Sequence, residues 1–238
     1  RTPAFIAWQE KTKAFVVESS KNPVTLHALK MPAYSSDANV TFEEQEGSTV
    51  LVGGENPDRA VYTVVGQIRV DDITGLRVDV LPDKSLPANG PGRVAHGNFV
   101  LSEVTMELAS NADFNDARRL EFAGAKADFE QADRPWLGKN VIDGNEETGW
   151  AIAPQFGKPH WLVMGLAEPL KITSPAFVRI RLSHQYGQQH TIGRFKLSLQ
   201  TGFEPETTLP ENILQALNTA ADQRTAEHKQ QLLDYFSG

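Results

Sequence analysis

Between two apolar stretches the chain carries Ser183-His184-Gln185-Tyr186-Gly187-Gln188-Gln189-His190-Thr191-Ile192-Gly193-Arg194. Amides, imidazoles, a phenol and a guanidinium are the groups that hydrogen-bond hydroxyls, and Tyr adds a flat face for stacking on a sugar ring. His184, Gln185, Tyr186, His190 and Arg194 are therefore the candidate ligand-binding set. Gly187 and Gly193 allow sharp backbone turns at both ends of the segment. No nucleophile is paired with a base here, and His184 and His190 lack a third partner at a zinc-ligand spacing. The alternative is a polar hairpin loop, with His190 tied to backbone and Arg194 in a salt bridge inside the fold. Trp136, in Asp133-Arg134-Pro135-Trp136, is either a stacking platform on an exposed loop or a core residue.

A second segment, Val141-Ile142-Asp143-Gly144-Asn145-Glu146-Glu147-Thr148-Gly149-Trp150, places Asp143, Asn145 and Thr148 around a tight turn. Clustered oxygen donors of this kind suit Ca²⁺. The segment is not an EF-hand, because Thr148 stands where that loop needs Gly and Pro154 where it needs Glu. The competing reading is an Asx-type turn in which Thr148 bonds the backbone and Trp150 enters the core. A third segment, Leu81 to Asn98, is rich in Pro and Gly. It reads as a stiff crossing between sheets, or as a ligand rim whose glycines let backbone approach closely. It holds no Walker pattern and no regular GxGxxG, and the chain has no GxSxG, HExxH, SxxK or kinase-like set.

The elements that must position these residues follow from composition and periodicity. The chain has 238 residues, with 23 Lys+Arg, 30 Asp+Glu and a formal charge of −7. That balance gives no field for phosphate backbones and argues against a nucleic-acid partner. Apolar residues make up 40% and charged residues 22%, a globular composition. No apolar run is long enough to span a membrane. Cysteine is absent, which removes disulfides and thiolate chemistry. The chain opens on Arg-Thr-Pro with no leader-like segment and reads as a piece of something longer.

Period-two alternation recurs through the middle. Leu76, Val78 and Val80 share one face, as do Val178, Ile180 and Leu182, and then Phe195, Leu197 and Leu199. Asn98 to Leu108 places Val100, Val104, Met106 and Leu108 together, and Trp161 to Met164 is apolar on both faces, as in a central strand. Strands joined by turn-rich loops predict a mainly β fold, an antiparallel β-sandwich of jelly-roll type over residues 21–201. Residues 1–20 form a flanking segment with a short helix carrying Trp8. Residues 202–238 form a C-terminal helical extension. There Thr208 with Glu211 fits a capping box, and a second helix over Thr225 to Tyr235 carries Leu232, Leu233 and Phe236 on its apolar side. The two helices are expected to pack on the sandwich as a hairpin, or to serve as a linker toward a further domain.

Phe122 to Ala127, Asn140 to Trp150 and His160 to Leu166 together resemble the opening of discoidin-type domains, also called coagulation factor type C domains, with a galactose-binding-like jelly-roll fold. The resemblance implies that the Asp-Gly turn helps hold a structural Ca²⁺, with Asp143, Asn145 and Thr148 on the matching positions. A Glu from a Leu-x-Glu-like segment completes that metal site in the family. The best match here is Glu103 in Leu101-Ser102-Glu103-Val104. It precedes the turn instead of following it, which implies a rearranged strand order. Ala60 to Val64, Leu76 to Asp83, Gly90 to Arg93 with Gly97 to Glu103, and His190 to Phe195 resemble a module of large secreted or cell-surface planctomycete proteins that carry a c-type cytochrome domain.

These resemblances imply a non-catalytic carbohydrate-binding module of a larger extracellular protein, with a polysaccharide and the neighbouring domains of the parent chain as partners. The location implied is secreted, periplasmic or cell-surface. A structural docking domain that binds no sugar is the alternative, and a polysaccharide-degrading enzyme comes third.

Overall fold

The structure is a computed structural model that describes residues 2–19, 21–131, 135–172, 175–202 and 209–237. A helix, α1 (Pro3–Ser19), opens the chain. Twelve strands follow among the described residues: β1 (Thr25–Ala28), β2 (Lys30–Ser36), β3 (Val40–Gln45), β4 (Thr49–Gly54), β5 (Ala60–Ile68), β6 (Ile73–Val80), β7 (Glu103–Ala109), β8 (Arg118–Leu120), β9 (Phe122–Ala127), β10 (His160–Leu170), β11 (Ala176–His184) and β12 (Arg194–Thr201). Two helices, α2 (Glu211–Asn218) and α3 (Ala226–Ser237), close it.

The strands make two sheets, ordered β3-β4-β12-β6-β10-β9 and β2-β5-β11-β7-β8, with β1 pairing on the far part of β12. Every pairing is antiparallel. The protein is thus mainly β, a two-sheet sandwich with C-terminal helices.

Register follows the alternation. Leu76 lies opposite Met164 and Leu199, and Val78 opposite Leu162 and Leu197. In the other sheet Ile180 sits between Val64 and Met106, and Leu182 between Tyr62 and Val104. These side chains fill one continuous core with Trp150, Phe99 and Phe195. Each fully buried large apolar side chain contributes roughly 1.5–3 kcal/mol. A one-residue slip would turn all of them outward, so register is strongly fixed. The polar partners face out: Arg77 lies 4.9 Å over the Trp161 ring, and Glu107 Oε2 accepts from both Arg179 and Arg181 at 2.7 Å.

Three expectations need correction. Asn98 to Ser102 is loop, because β7 starts only at Glu103, and Val100 packs with Trp136 and Ala151 away from the main core. The C-terminal helices do not simply lie on the sandwich. They join α1 in a second core of Phe5, Ile213, Leu214, Ala216, Leu217 and Leu232, with Trp8 and Phe236 against it. Leu233 is 44% exposed, because Leu232 takes the inward position. Thr208 lies outside the described residues, and Pro210 stands at the N-cap of α2. No helix is long and apolar enough to cross a membrane among the described residues.

Candidate ligand site at the loop end

Strands β6, β9 and β11 end, and β7, β10 and β12 begin, at the same end of the sandwich. Three connections meet there: 81–102, 128–159 and 185–193. Backbone bonds lace them together. Val100 N donates to His190 O at 3.0 Å, Arg93 N to Thr191 O at 2.9 Å, and Leu101 and Trp150 exchange bonds at 3.0 and 2.8 Å. The first loop can fold this tightly only because residue 92 is glycine. A Cβ there would stand 1.6 Å from Asn98 O. The loop joins the two sheets, as the crossing reading has it, and its His96 and Asn98 line a cavity.

In the third loop Gly187, Gln188 and Gln189 follow one another with φ of 90°, 53° and 64°. Left-handed backbone is costly at the two glutamines and marks a conformation held by its surroundings. Asp58 Oδ1 accepts from Gln188 N at 2.5 Å, and the carbonyls of Gly187 and Gln188 both lie 3.1 Å from His190 Nδ1. This network assigns the proton to Nδ1 and leaves Nε2 as an acceptor. Burial pushes the His190 pKa below its ordinary value, against the bond to the Gly187 carbonyl, and the nearby His96 lowers it further. Burial and His96 thus favour the neutral form of the ring.

The open cavity between these loops measures about 280 Å³ and is lined by His96, Asn98, Val100, Gln131, Trp136, Ala153, Tyr186, Gln188 and His190. Its aromatic wall is a chain of ring contacts. Trp136 meets Tyr186 at 5.0 Å and 81°, Tyr186 meets His190 at 4.9 Å and 89°, and His190 meets His96 at 5.4 Å. Its polar floor is braced: Asn98 Nδ2 donates to Gln131 Oε1 at 3.2 Å, Ala153 N donates to the same oxygen at 3.2 Å, and Asn98 Oδ1 accepts from Ile152 N.

The structure thus brings Trp136, Tyr186 and His190 into one cavity. Trp136 is buried and still forms part of the wall. The remaining three candidates lie elsewhere. His184 is buried at the end of β11, 3.2 Å from Ala60 O and packed 4.6 Å from the Tyr62 ring. Its complete burial pulls the imidazole pKa down to about 4. Gln185 ties the loop to the chain entering β7, through its N to Ser102 Oγ, and donates from Nε2 to Ser183 Oγ. Arg194 donates to Pro82 O and Thr49 Oγ1 and pairs with Asp83 at 3.5 Å, which is the salt-bridge alternative. Gln131 was not singled out by the sequence, since a lone glutamine between loop residues has no motif around it.

The Asp-Gly turn lies at the end of a 3-10 turn over Gly138–Ile142. Glu103 does reach it from the start of β7: its Oε1 accepts from Gly144 N at 2.8 Å and Asn145 N at 3.0 Å. Asp143 Oδ1 accepts from Asn145 N, and its Oδ2 from Thr148 Oγ1, both at 2.8 Å. Burial first, then the adjacent Asp143, pushes the Glu103 carboxyl up to about 7, against the amide bonds that favour its charged form. The four residues therefore come together. Their chemistry suits a hard cation through the two neighbouring carboxylates, whose repulsion either a proton or a cation relieves. Several of their oxygens are at the same time engaged in closing the turn. No group of three or more His, Asp or Glu able to hold a metal occurs among the described residues. Trp150 is in the core, with Nε1 donating to Phe129 O at 2.8 Å.

A larger cavity, about 590 Å³, lies where Ala125, Lys126, Ala127 and Glu130 approach Glu211, Leu214 and Gln215 of α2. Its described lining has no aromatic side chain, and the loop-end cavity is the better candidate for recognition.

No family model and no curated protein matches the chain. Among solved structures it is similar to a family 29 carbohydrate-binding module, at 12% identity and a TM-score of 0.32, covering 79% of this chain and 99% of that one. It is also similar to a family 27 module described for specific mannan recognition, at 10% identity and a TM-score of 0.30, covering 78% of this chain and 92% of that one. A structure described for promiscuous specificity of β-sandwich carbohydrate-binding modules matches at 9% identity and a TM-score of 0.33, covering 77% of this chain and 62% of that one.

Proposed function

We propose that this protein is a carbohydrate-binding module without catalytic activity, and that its ligand site is the loop-end cavity. The observation that supports this is one cavity in which Trp136, Tyr186 and His190 stand with the amides of Asn98, Gln131 and Gln188. Aromatic faces beside fixed amide and imidazole groups match sugar rings, which have apolar faces and a rim of hydroxyls. Rigid strands hold the loops, so the site is preformed. The module would hold a larger extracellular protein on a polysaccharide.

The test is a glycan array or affinity gels spanning neutral, acidic and sulfated polysaccharides. Binding at micromolar to millimolar Kd, about −8 to −4 kcal/mol, is expected. Clean negatives would favour the second reading, a docking domain for neighbouring domains of the parent chain. Exposed Ile6 and Leu233 on the helical core speak for that reading. Release of reducing sugar from the same panel would make it an enzyme.

We also propose Ca²⁺ at the turn of Asp143, Asn145 and Thr148 with Glu103. What supports this is the meeting of two carboxylates from separate parts of the chain.

A further inference from the structure

Resting on the reading of the loop-end cavity as a sugar site, we infer that it takes the end of a neutral glycan chain, with Gln131 as the residue that reads the terminal sugar. Three observations carry this. The first is shape. At about 280 Å³ the cavity lies just below the usual size of ligand pockets, roughly 300 to 1,000 Å³. It has room for a terminal sugar and the start of the next. Its two large rings, Trp136 and Tyr186, meet at 81°. Trp136 is only 6% exposed and backs Tyr186, so the wall does not offer the row of side-by-side faces that a polymer lying across the site needs.

The second observation is the fixed direction of the polar groups. Gln131 Oε1 is occupied by Asn98 Nδ2 and Ala153 N, so the orientation of this amide is set and its Nε2 is left as a donor. His190 is held the other way round, with Nδ1 bound to two carbonyls and Nε2 left as an acceptor. A sugar hydroxyl both donates and accepts, and a donor and an acceptor locked in one small cavity select the hydroxyl arrangement that meets both. Asn98 acts as a positioning residue, since it touches the amide oxygen and not the donor.

The third observation is charge. Among the described residues the cavity lining includes no Asp, Glu, Lys or Arg. The Asp58 carboxylate reaches this loop from the β4–β5 connection and is engaged by Gln188 N. A uronate or sulfate would meet no cation among these described lining residues, and losing hydration without a partner is costly.

The experiment uses the whole chain. An array of neutral, uronic-acid and sulfated glycans identifies the strongest neutral ligand, which is then presented as intact polymer and after partial acid hydrolysis at equal mass. Protein bound per gram is expected to rise in proportion to chain ends, and methyl glycosides of the terminal sugar are expected to compete. Gln131→Glu keeps the acceptor for Asn98 and Ala153 but replaces the donor, and is expected to weaken binding at least tenfold at unchanged melting temperature. Capacity that follows polymer mass, or strongest binding to sulfated or uronic glycans, overturns the inference while leaving sugar binding intact. The hydrolysis series on the unaltered protein decides this even if Gln131→Glu fails to fold. No binding to any glycan overturns the inference together with the function it rests on.

Discussion

The Tyr186 ring stands edge-on to His190, 4.9 Å away at 89°, with Trp136 closing the other side. The three rings come from two loops, and Tyr186 is the link between them. Removing it should open the cavity without emptying the main core, in which it takes no part. Tyr186→Ala is expected to reduce affinity for any bound glycan at least tenfold, or about 1.4 kcal/mol, with little change in melting temperature. His190→Ala should act in the same direction. Retained binding in both variants, measured by titration calorimetry, would move the site away from this cavity.

His184 makes the fold sensitive to acid. Its folded pKa of about 4 lies below the ordinary value near 6.5, so the native state favours the neutral ring. The stability this contributes is fully present above pH 6.5 and is lost as pH falls toward 4, up to about 3 kcal/mol. His184→Asn, which can still donate to Ala60 O, should show a shallower loss over that interval in urea unfolding at stepped pH. An equally steep loss in the variant would assign the acid sensitivity to other groups.

If Ca²⁺ occupies the Asp143 turn, it stabilises the fold by mass action, about 2.7 kcal/mol at a hundredfold excess over Kd. Chelator should then lower the melting temperature, and Asp143→Ala should reproduce part of that loss. An unchanged melting temperature in chelator would leave the turn closed by its own hydrogen bonds alone.

Gly92→Ala should be severe for a small change. The added methyl would lie 1.6 Å from a backbone oxygen, not from a flexible side-chain tip, so the loop itself must shift. A loss of at least ~2 kcal/mol is expected by denaturant titration. Glycan binding should fall with it, because Asn98 braces Gln131. Native-like stability and binding would show that the loop relaxes freely.

What could be read from the sequence was whatever depends on near neighbours in the chain. Val178, Ile180 and Leu182 alternate with arginines, so their strand and its inward face were legible. Val100 continued the same alternation and misled, because a loop residue can match a strand pattern by chance. The loop with Tyr186 and His190 stood out by its residue types. Gln131 did not, since its role comes from Asn98, 33 residues away. His184 and Arg194 had suitable chemistry too, but the residues around them in space, Tyr62 and Asp83, commit them to the fold. Glu103 reaches its turn only through the sandwich topology, which sequence order alone did not reveal.

The helical core has a consequence for architecture. Phe5 of α1 meets Phe236 of α3 at 5.4 Å, and Trp8 meets Tyr235 at 6.0 Å, so the first and last helices are neighbours. A unit that enters and leaves through adjacent points can be spliced into a surface loop of a host protein without forcing the host's strands apart. The same adjacency permits circular permutation: a short linker between the helices, with new termini opened in an exposed turn such as Asn111 to Asp113, should yield a chain that still folds.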